Sequence, residues 1–269
     1  MRNAPKIVGI VNITEDSFSD GGRFLASEDA IRHARRLASD GADYLEFGPA
    51  SSNPEAGHVS AKEQIARLEP VLRELTSCEI PISIDATDPA VLEFAMASGV
   101  AMLNDIRGFP EPSLHARLAD SEALLVVVHS ILELERAGRN DATTEEVLSS
   151  IDRFFEQRLT ELVRAGVDES RLIVDPGMGF FLGNNPDASL AVLQRIPELR
   201  SRFGRPVFIS VSRKSFLRAI TGRKLDEIGA ATLAAELHAA REGAAYLRTH
   251  DVEALGDALR VLHSLGGKV

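Results

Sequence analysis

The stretch that decides the fold is RLIVDPGMGFFLG, residues 171–183. After Arg171, residues 172–174 form a short, continuous apolar run, which is typical of a strand buried on both faces. Asp175, Pro176 and three glycines follow, a composition that suits a strand end opening into a ligand loop. Phe180 and Phe181 follow as neighbours in this polar loop. Two adjacent large aromatics are unexpected in such a loop unless they contact a ligand or the core.

The same succession of strand and loop recurs along the chain. The apolar runs are KIVGIV (6–11), DYLEF (43–47), IPISI (80–84), AMLN (101–104), ALLVVV (123–128), RLIV (171–174), PVFISV (206–211) and AYLR (245–248). Helix-like segments lie at 27–39, 60–75, 88–97, 112–119, 143–165, 187–201, 226–241 and 252–264. This strict alternation predicts an α/β fold, a (β/α)₈ TIM barrel, with a doubly wound α/β sheet as the alternative. A barrel of ~250 residues is one domain, so residues 1–269 are expected to form a single domain.

The composition argues against several classes of protein. Lys and Arg number 30 against 40 Asp and Glu, so the net charge is −10, and without a basic block nucleic acid is not an expected partner. The single cysteine, Cys78, can form no intrachain disulfide, which is compatible with a reducing cytoplasm. The sequence has no run of about 18 apolar residues and no apolar signal core near its start. We therefore expect a cytoplasmic protein with no membrane partner.

Polar residues stand at nearly every predicted strand end, which is where barrel enzymes carry out their chemistry. These residues are Asn12, Glu46, Asp85, Asn104, His129, Asp175, Ser212, Lys214, Arg248 and His250. Each alone could be a cap or a turn residue, but their recurrence on one face favours a shared polar pocket. His129 is the exception, because after the run LLVVV we expect a hydrogen-bonded core histidine rather than a ligand.

Neighbouring residues can take the capping positions and so release some strand-end residues for other roles. Asp88, followed by proline, is expected to cap the next helix, which leaves Asp85 without a capping role. Asp251 is expected to cap the last helix, and Ser212 the helix after the seventh strand. Lys214 would then lie at a helix N-terminus, where cations are disfavoured, and this placement points to ligand binding. The alternative is that Lys214 is a solvated surface residue.

The connection VNITEDSFSDGG, residues 11–22, is longer than the usual loop of about two to six residues. Its carboxylate and amide oxygens suit Mg²⁺ bridging to phosphate, and its Gly and Ser N–H groups suit phosphate oxygens. Phe18 in such a polar loop is expected to cover something in the pocket. The polar stretch 130–142 is expected to be an exposed loop.

Six motifs, NITEDSFSDGG, SID, LND, DPGMGF, SRKS and RTHD, follow successive strands in that order. Together they span nearly the whole chain, and they resemble the motifs of dihydropteroate synthase. The resemblance implies a (β/α)₈ barrel, a transferase of the pterinylmethyl group and a homodimer. It also implies the reaction of 6-hydroxymethyl-7,8-dihydropterin pyrophosphate with p-aminobenzoate, which gives 7,8-dihydropteroate and pyrophosphate in folate biosynthesis.

The resemblance assigns a role to each strand-end residue. The residues implied to bind the pterin are Asp85, Asn104, Asp175, Lys214 and Arg248. Those implied to bind pyrophosphate are Asn12, Arg248 and His250, with Asn12 also a ligand of the Mg²⁺ cofactor. Those implied to frame the p-aminobenzoate slot are Phe18, Phe180 and Ser212. The residues implied to be catalytic are Asp85, Lys214, Arg248 and His250. Carboxylates and amides match the donor-rich edge of the pterin, and cations stabilise a departing pyrophosphate.

The sequence departs from the usual family pattern around the proposed slot. The loop GPASSNPEAG replaces a pattern close to GGESTRPGA, so Ser52 and Asn53 stand where the family has Thr-Arg. Ala86 replaces a threonine, and Phe181 replaces a glycine. Together the stretches GPASSNP, LNDIRGFP, DPGMGFFLG and SVSRKSFLRA look like the sulfonamide-resistant branch. We therefore expect Ser52, Asn53 and Phe181 to line the slot, with Phe181 walling the end where sulfonamides carry an extra ring. The alternative is that Phe181 packs as core.

Two other functions stay open at this point. One is another pterin-binding barrel of the methyltetrahydrofolate–corrinoid methyltransferase type, which would need no pyrophosphate loop. The other is a non-catalytic pterin-binding protein, against which the intact Lys214, Arg248 and His250 count. Neither the oligomeric state nor the choice between a housekeeping and a drug-resistance role can be predicted from the sequence.

Overall fold

The computed structural model describes residues 4–13, 20–50, 59–75, 80–131 and 142–266, with the backbone alone described for residues 20–26. Within these ranges the strands are β1 (Lys6–Asn12), β2 (Tyr44–Gly48), β3 (Ile82–Asp85), β4 (Met102–Asp105), β5 (Leu124–Val128), β6 (Leu172–Asp175), β7 (Phe208–Ile209) and β8 (Tyr246–Thr249). They pair in parallel in the order β6-β5-β4-β3-β2-β1-β8-β7. A bridge between Val174 and Val207 joins the two ends of this sheet. The eight-stranded barrel is therefore confirmed, and the doubly wound alternative is wrong.

Helices cover the outside of the barrel. Those described are α1 (Asp20–Ser39), α2 (Ala61–Leu75), α3 (Pro89–Ala97), α4 (Pro112–Asp120), α5 (Thr144–Arg164), α6 (Pro186–Gln194), α7 (Ile196–Phe203), α8 (Ser215–Thr221), α9 (Gly229–Glu242) and α10 (Val252–Ser264). A large apolar cluster fills the space between these helices and the sheet, and it includes Phe47 and Phe155. Among the described residues, no helix combines the length and apolar character that crossing a membrane would require.

A second, smaller apolar cluster fills the inside of the barrel. Its lower end is aromatic, because Tyr44, Phe208 and Tyr246 are the first residues of their strands. The Tyr246 ring lies 5.9 Å from each of the other two rings, edge-on to Tyr44 and stacked on Phe208. Val126 and Ile173 continue the cluster upward. The barrel is thus closed at its amino-terminal end, and only its carboxyl-terminal end is left for a polar site.

The observed helix caps agree with the predicted ones where the turn before the helix is regular. Asp88 accepts a hydrogen bond from Ala90 N at 2.9 Å and caps α3, as predicted. Asp251 accepts one from Ala254 N at 3.1 Å and caps α10, also as predicted. The predicted cap at Ser212 is wrong, because the helix after β7 begins only at Ser215. A turn through Arg213, whose φ is 59°, separates the strand from that helix.

Three predicted boundaries also differ from the structure. The sequence predicts one helix over 187–201, but α6 and α7 are separate and meet at Arg195. Pro197 lies in the first turn of α7, and a proline in that position cannot donate the hydrogen bond that a continuous helix needs. Helix α1 begins at Asp20 rather than at residue 27, and β7 is only two residues long.

Candidate active site

The polar site is organised around Glu46, whose side chain is fully buried. Its carboxylate accepts hydrogen bonds from Ser83 Oγ at 3.1 Å, from Asn104 Nδ2 at 3.0 Å and from Arg248 Nε. A buried carboxylate is tolerated only when it is paired in this way. Glu46 thereby fixes the orientation of groups that come from three other strands.

Asn104 is held so that one of its polar atoms is left unused. Its amide nitrogen is occupied by Glu46, and its Oδ1 is buried with no hydrogen-bond partner among the described residues. A buried acceptor without a partner is costly, so a functional role such as accepting a hydrogen bond from a ligand is one reason for its presence. Asn104 stands beside Asp85 in the β3–β4 register, so an acceptor and a carboxyl face the pocket together.

Arg248 crosses the pocket floor from Glu46 to Asp85, whose Oδ2 lies 2.9 Å from Arg248 Nη2. Burial raises the pKa of Asp85 to about 7, against the opposing effect of the Arg248 charge, and Glu46 raises it further. Asp85 therefore changes its charge near neutral pH. A ligand that donates N–H groups to this carboxyl would favour its ionised form.

Asp175 and Lys214 form the opposite side of the pocket. Asp175 Oδ1 accepts a hydrogen bond from Gly177 N at 2.8 Å, and burial raises the pKa of Asp175 to about 6. Burial lowers the pKa of Lys214 to about 8, and the Arg248 charge lowers it further. Lys214 is a partly buried pocket residue whose ammonium lies against the Phe181 ring, so the alternative of a solvated surface lysine is wrong.

The loop after β6 is shaped by two glycines that adopt positive φ. A Cβ at Gly177, where φ is 78°, would lie 2.4 Å from His129 O, so only glycine fits there. A Cβ at Gly179, where φ is 63°, would lie 3.3 Å from Lys214 Cβ. The loop therefore lies directly against the β7–α8 turn, and this contact brings the two aromatics to the mouth.

Phe180 and Phe181 face different surroundings. Phe180 is 53% exposed, whereas Phe181 is half-buried and packs on the inner apolar cluster. The Lys214 ammonium lies over the Phe181 ring, 4.5 Å from its centroid. The Phe181 carbonyl accepts a hydrogen bond from Ile131 N at 2.9 Å, which fixes its backbone. Phe181 is thus a packed residue that also lines the mouth.

His250 and Ser212 form a pair on the outer side of the mouth. Ser212 Oγ accepts a hydrogen bond from His250 N at 3.2 Å and lies 2.9 Å from His250 Nδ1. The hydroxyl hydrogen is then directed to Nδ1, so we assign the ring proton to Nε2. Burial lowers the pKa of His250 to about 3, and the neighbouring charges of Arg213 and Arg248 lower it further. The ring is therefore a neutral donor toward the mouth.

The predicted site residues divide according to where the structure places them. It brings together Asp85, Asn104, Asp175, Lys214, Arg248 and His250. Phe18, Ser52 and Asn53 lie outside the described residues, as does most of the stretch 130–142. The resemblance implies a place for Ser212 in the p-aminobenzoate slot, but its hydroxyl is engaged by His250. His129 is a core histidine as predicted, with Nε2 2.9 Å from Ser150 Oγ.

One important residue received no role from the sequence. Glu46 stood among the strand-end residues, but the resemblance did not assign it a function. The available signal was its place in the run DYLEF, two residues after Tyr44 and therefore on the same strand face. Tyr44 points into the barrel, and so does Glu46.

Asn12, the residue implied to bind Mg²⁺, lies among the described residues. It ends β1 with an exposed side chain beside Gly48, where a Cβ would lie 3.4 Å from Asn12 Oδ1. Among the described residues, no three His, Cys, Asp or Glu side chains form a metal-binding group. Mg²⁺ takes oxygen ligands, commonly one or two carboxylates, and completes its shell with water and substrate phosphate, so an amide oxygen is a weaker member of the same donor class. A single amide oxygen at this position fits that donor set.

The sequence and the fold place the chain among known proteins. Residues 8–250 match the model of the family described as pterin binding enzyme. The chain is 53% identical to dihydropteroate synthase type-2 of Escherichia coli over 259 residues, which cover 96% of this chain and 95% of that protein. It is 49% identical to the type-3 enzyme of the same organism over 261 residues, covering 97% and 99%.

A solved structure agrees with these relatives. Dihydropteroate synthase of Xanthomonas albilineans, in complex with 7,8-dihydropteroate, superposes with a TM-score of 0.84 at 34% identity. The match covers 98% of this chain and 94% of the other.

Proposed function

The chain belongs to the pterin binding enzyme family and is a dihydropteroate synthase, and we propose how its residues divide the work of that reaction. The enzyme joins 6-hydroxymethyl-7,8-dihydropterin pyrophosphate to p-aminobenzoate, giving 7,8-dihydropteroate and pyrophosphate for folate biosynthesis. The relatives just described are synthases, so the corrinoid methyltransferase and non-catalytic alternatives have no observation in their favour.

The pterin is proposed to bind in the pocket of buried acceptors. The observation that carries this proposal is Asn104 Oδ1, a buried acceptor without a partner among the described residues. Asp85 and Asp175 add carboxyl oxygens on either side, and the aminopyrimidinone edge of a pterin offers N–H donors to all three. Lys214 supplies a donor for the pterin carbonyl. Bound donors would keep both carboxyls ionised, against the burial that raises their pKa values.

The pyrophosphate is proposed to lie on the side of the mouth formed by His250, Arg248 and Asn12. His250 offers Nε2–H to a phosphate oxygen, and Arg248 adds a fixed positive charge below it. As pyrophosphate departs, these groups stabilise the negative charge that develops on it, and the exocyclic carbon becomes electron-poor. A Mg²⁺ held by Asn12 would supply further neutralisation of the pyrophosphate charge.

The arylamine of p-aminobenzoate is proposed to approach from the exposed aromatic side of the mouth. Phe180 is available there, because about half of its surface is open. Ser52, Asn53 and Phe18 are proposed to complete this slot. Ser212 is proposed to act on the pyrophosphate side rather than in the slot, since its hydroxyl lies 2.9 Å from His250 Nδ1.

The enzyme is also proposed to be insensitive to sulfonamides. Phe181 is fixed by the inner apolar cluster and by the hydrogen bond at its carbonyl, so its ring is a rigid wall. A drug with an extra ring beyond the p-aminobenzoate footprint would collide with such a wall, whereas the substrate would not. Discrimination then comes from a repulsive contact rather than from a stronger attraction.

A homodimer is proposed from the outer surface of α9 and α10. Val261 is 59% exposed and Leu265 is 78% exposed, and together with Leu233 and Leu237 they line an apolar groove. A second copy of the chain would cover this groove. Light scattering after size-exclusion chromatography tests the assembly, and a monomer at micromolar concentration would contradict it. The expected site of action is the cytoplasm.

The assay that tests the whole proposal measures pyrophosphate release. With both substrates and Mg²⁺, release should depend on p-aminobenzoate and should continue in the presence of sulfamethoxazole. Release that ignores p-aminobenzoate would contradict the assigned reaction. If sulfamethoxazole inhibits release at concentrations similar to that of p-aminobenzoate, the assigned reaction is unaffected but the proposed insensitivity is wrong.

A further inference from the structure

Glu236 is an acidic residue in a place that otherwise takes small or apolar side chains. It lies on the inner face of α9, where Thr232, Ala239 and Ala240 are buried with it, and it is only 2% exposed. Its Oε1 has no hydrogen-bond partner among the described residues. Burying such a group costs free energy, so we expect a functional reason for its presence.

The neighbour of Glu236 on the barrel is Thr249, which separates Arg248 from His250 at the end of β8. Side chains alternate along a strand, so Thr249 points outward to α9 while its two neighbours point to the site. Thr249 is fully buried, and its hydroxyl lies close enough to the Glu236 carboxyl to act as a donor that opposes the rise in the pKa of Glu236. Thr249 Oγ1 also accepts a hydrogen bond from Asp251 N at 3.2 Å.

These contacts hold the chain on both sides of His250. The backbone N–H of His250 is bound by Ser212, and the next N–H, that of Asp251, is bound by Thr249. A cavity of about 770 Å³ lies behind this segment, lined by Ser212, Asp251 and Glu236 among others. Next to this cavity, the hydrogen bonds from His250 N to Ser212 and from Asp251 N to Thr249 fix the direction of the segment.

We propose that Glu236, acting through Thr249, is a positioning residue that aims His250 at the pyrophosphate of the substrate. The inference rests on the proposed role of His250. Burial raises the pKa of Glu236 to about 8, so at neutral pH the group is an uncharged acid. An uncharged acid can anchor the Thr249 hydroxyl without adding negative charge next to a site that must receive an anion.

The test compares three variants of the full-length enzyme with Mg²⁺ present. Glu236→Ala removes the anchor, Thr249→Val removes the hydroxyl at equal volume, and Glu236→Gln keeps an uncharged hydrogen-bonding group. The readouts are the KM of each substrate, kcat, the Kd of inorganic pyrophosphate by calorimetry, and the melting temperature.

Glu236→Ala and Thr249→Val should each weaken the binding of inorganic pyrophosphate and raise the KM of the pterin pyrophosphate about fivefold, the effect of one neutral hydrogen bond. The KM of p-aminobenzoate should stay within about twofold. Glu236→Gln should restore the wild-type values. Because the two residues act in one chain of contacts, the double variant Glu236→Ala, Thr249→Val should be no worse than either single variant.

Leu118→Ala serves as the matched control, since it makes a cavity in the buried face of α4, away from β8. It should lower the melting temperature without separating the two KM values. Equal changes in both KM values for Glu236→Ala, or a lower melting temperature alone, would overturn the positioning role.

A further variant, His250→Ala, separates the two ideas. If it leaves pyrophosphate affinity unchanged, the proposed role of His250 fails, and the positioning role of Glu236 fails with it. If it weakens pyrophosphate binding while Glu236→Ala and Thr249→Val do not, only the inference about Glu236 is wrong.

Discussion

Replacing Glu46 with glutamine should disable the pterin pocket without removing any residue proposed to touch the pterin. The buried carboxylate accepts from three donors, on Ser83, Asn104 and Arg248. A glutamine has nearly the same shape but only one acceptor oxygen, and its NH₂ group would face another donor. The least costly response is for Asn104 to turn its amide by half a rotation, so that its Oδ1 accepts from the NH₂ group of the new side chain.

That rotation takes away the free acceptor that the pterin needs. Presenting an N–H to a pterin N–H leaves both donors unpaired, at a cost of about 1–3 kcal/mol. Arg248 keeps Asp85 as a partner, so the larger cost of about 3–5 kcal/mol for an isolated buried charge should not arise. Pterin binding should therefore weaken by roughly tenfold to hundredfold.

The same change should move the pH dependence of binding. Glu46 raises the pKa of Asp85, which stands at about 7, so Glu46→Gln should lower it. Below its pKa, Asp85 is protonated and cannot accept two donors from the ligand. The acidic limb of the plot of kcat/KM against pH should consequently shift to lower pH in the variant.

Calorimetry with the pterin substrate and pH profiles of kcat/KM measure both effects. Ser83→Ala is the matched control, because it removes one donor to the carboxylate, worth about 1.5–3 kcal/mol of stability, and keeps both the carboxylate and the orientation of Asn104. It should weaken binding less and leave the acidic limb in place. A folded Glu46→Gln enzyme with wild-type pterin affinity and an unmoved acidic limb would refute the role given to Glu46.

Four other perturbations test separate parts of the site. Asp85→Asn should weaken pterin binding at least tenfold by calorimetry, whereas Asp105→Asn should mainly lower stability, since Asp105 accepts from Arg107 N and Phe109 N within its own turn. Chelating Mg²⁺ with EDTA should abolish turnover while circular dichroism shows an intact fold, and full activity in excess EDTA would remove the metal from the reaction. Phe181→Gly should tighten sulfamethoxazole binding by about 10²- to 10³-fold, or roughly 3–4 kcal/mol, while the KM of p-aminobenzoate changes little; parallel changes in drug and substrate affinity would show that Phe181 only packs. Relative to the wild type, Glu236→Gln should raise the melting temperature more at pH 8 than at pH 5. The charged groups that face Glu236 across the cavity, Arg213, Asp226 and Asp251, are the same in both proteins. The folded-state pKa of Glu236, about 8, exceeds its ordinary value of 4.5, so the stability of the wild type falls as pH rises between these values, and a difference independent of pH would contradict the buried acid.

The barrel could be predicted because its strands carry a strong signal. A strand covered on both faces has no polar alternation, so runs such as ALLVVV stand out against amphipathic helices. Parallel strands also end on one face, which is why Asp85, Asn104 and Asp175 could be grouped from sequence alone. The structure places Asp85 and Asn104 side by side in register.

The orientation of individual side chains in the site depends on turns that could not be predicted from the sequence. Ser212 has the composition of a helix cap, but the left-handed backbone at Arg213 delays the helix and turns the hydroxyl toward His250. Glu46 was missed for a different reason. In an apolar strand the inward and outward faces have the same composition, so the direction of its carboxyl could not be inferred without knowing which face Tyr44 takes.

The different surroundings of Phe180 and Phe181 also result from the geometry of a local turn. They lie in a short 3₁₀ turn, Gly179–Leu182, where successive side chains point about 120° apart because a turn takes three residues. One ring must therefore face away from the barrel when the other faces into it. In the structure Phe181 is the ring that faces inward, onto the inner cluster, and the Lys214 ammonium lies over it. Because the Lys214 ammonium lies over the same ring, Phe181 connects the proposed sulfonamide wall to the proposed pterin pocket, whereas Phe180 is 53% exposed at the mouth.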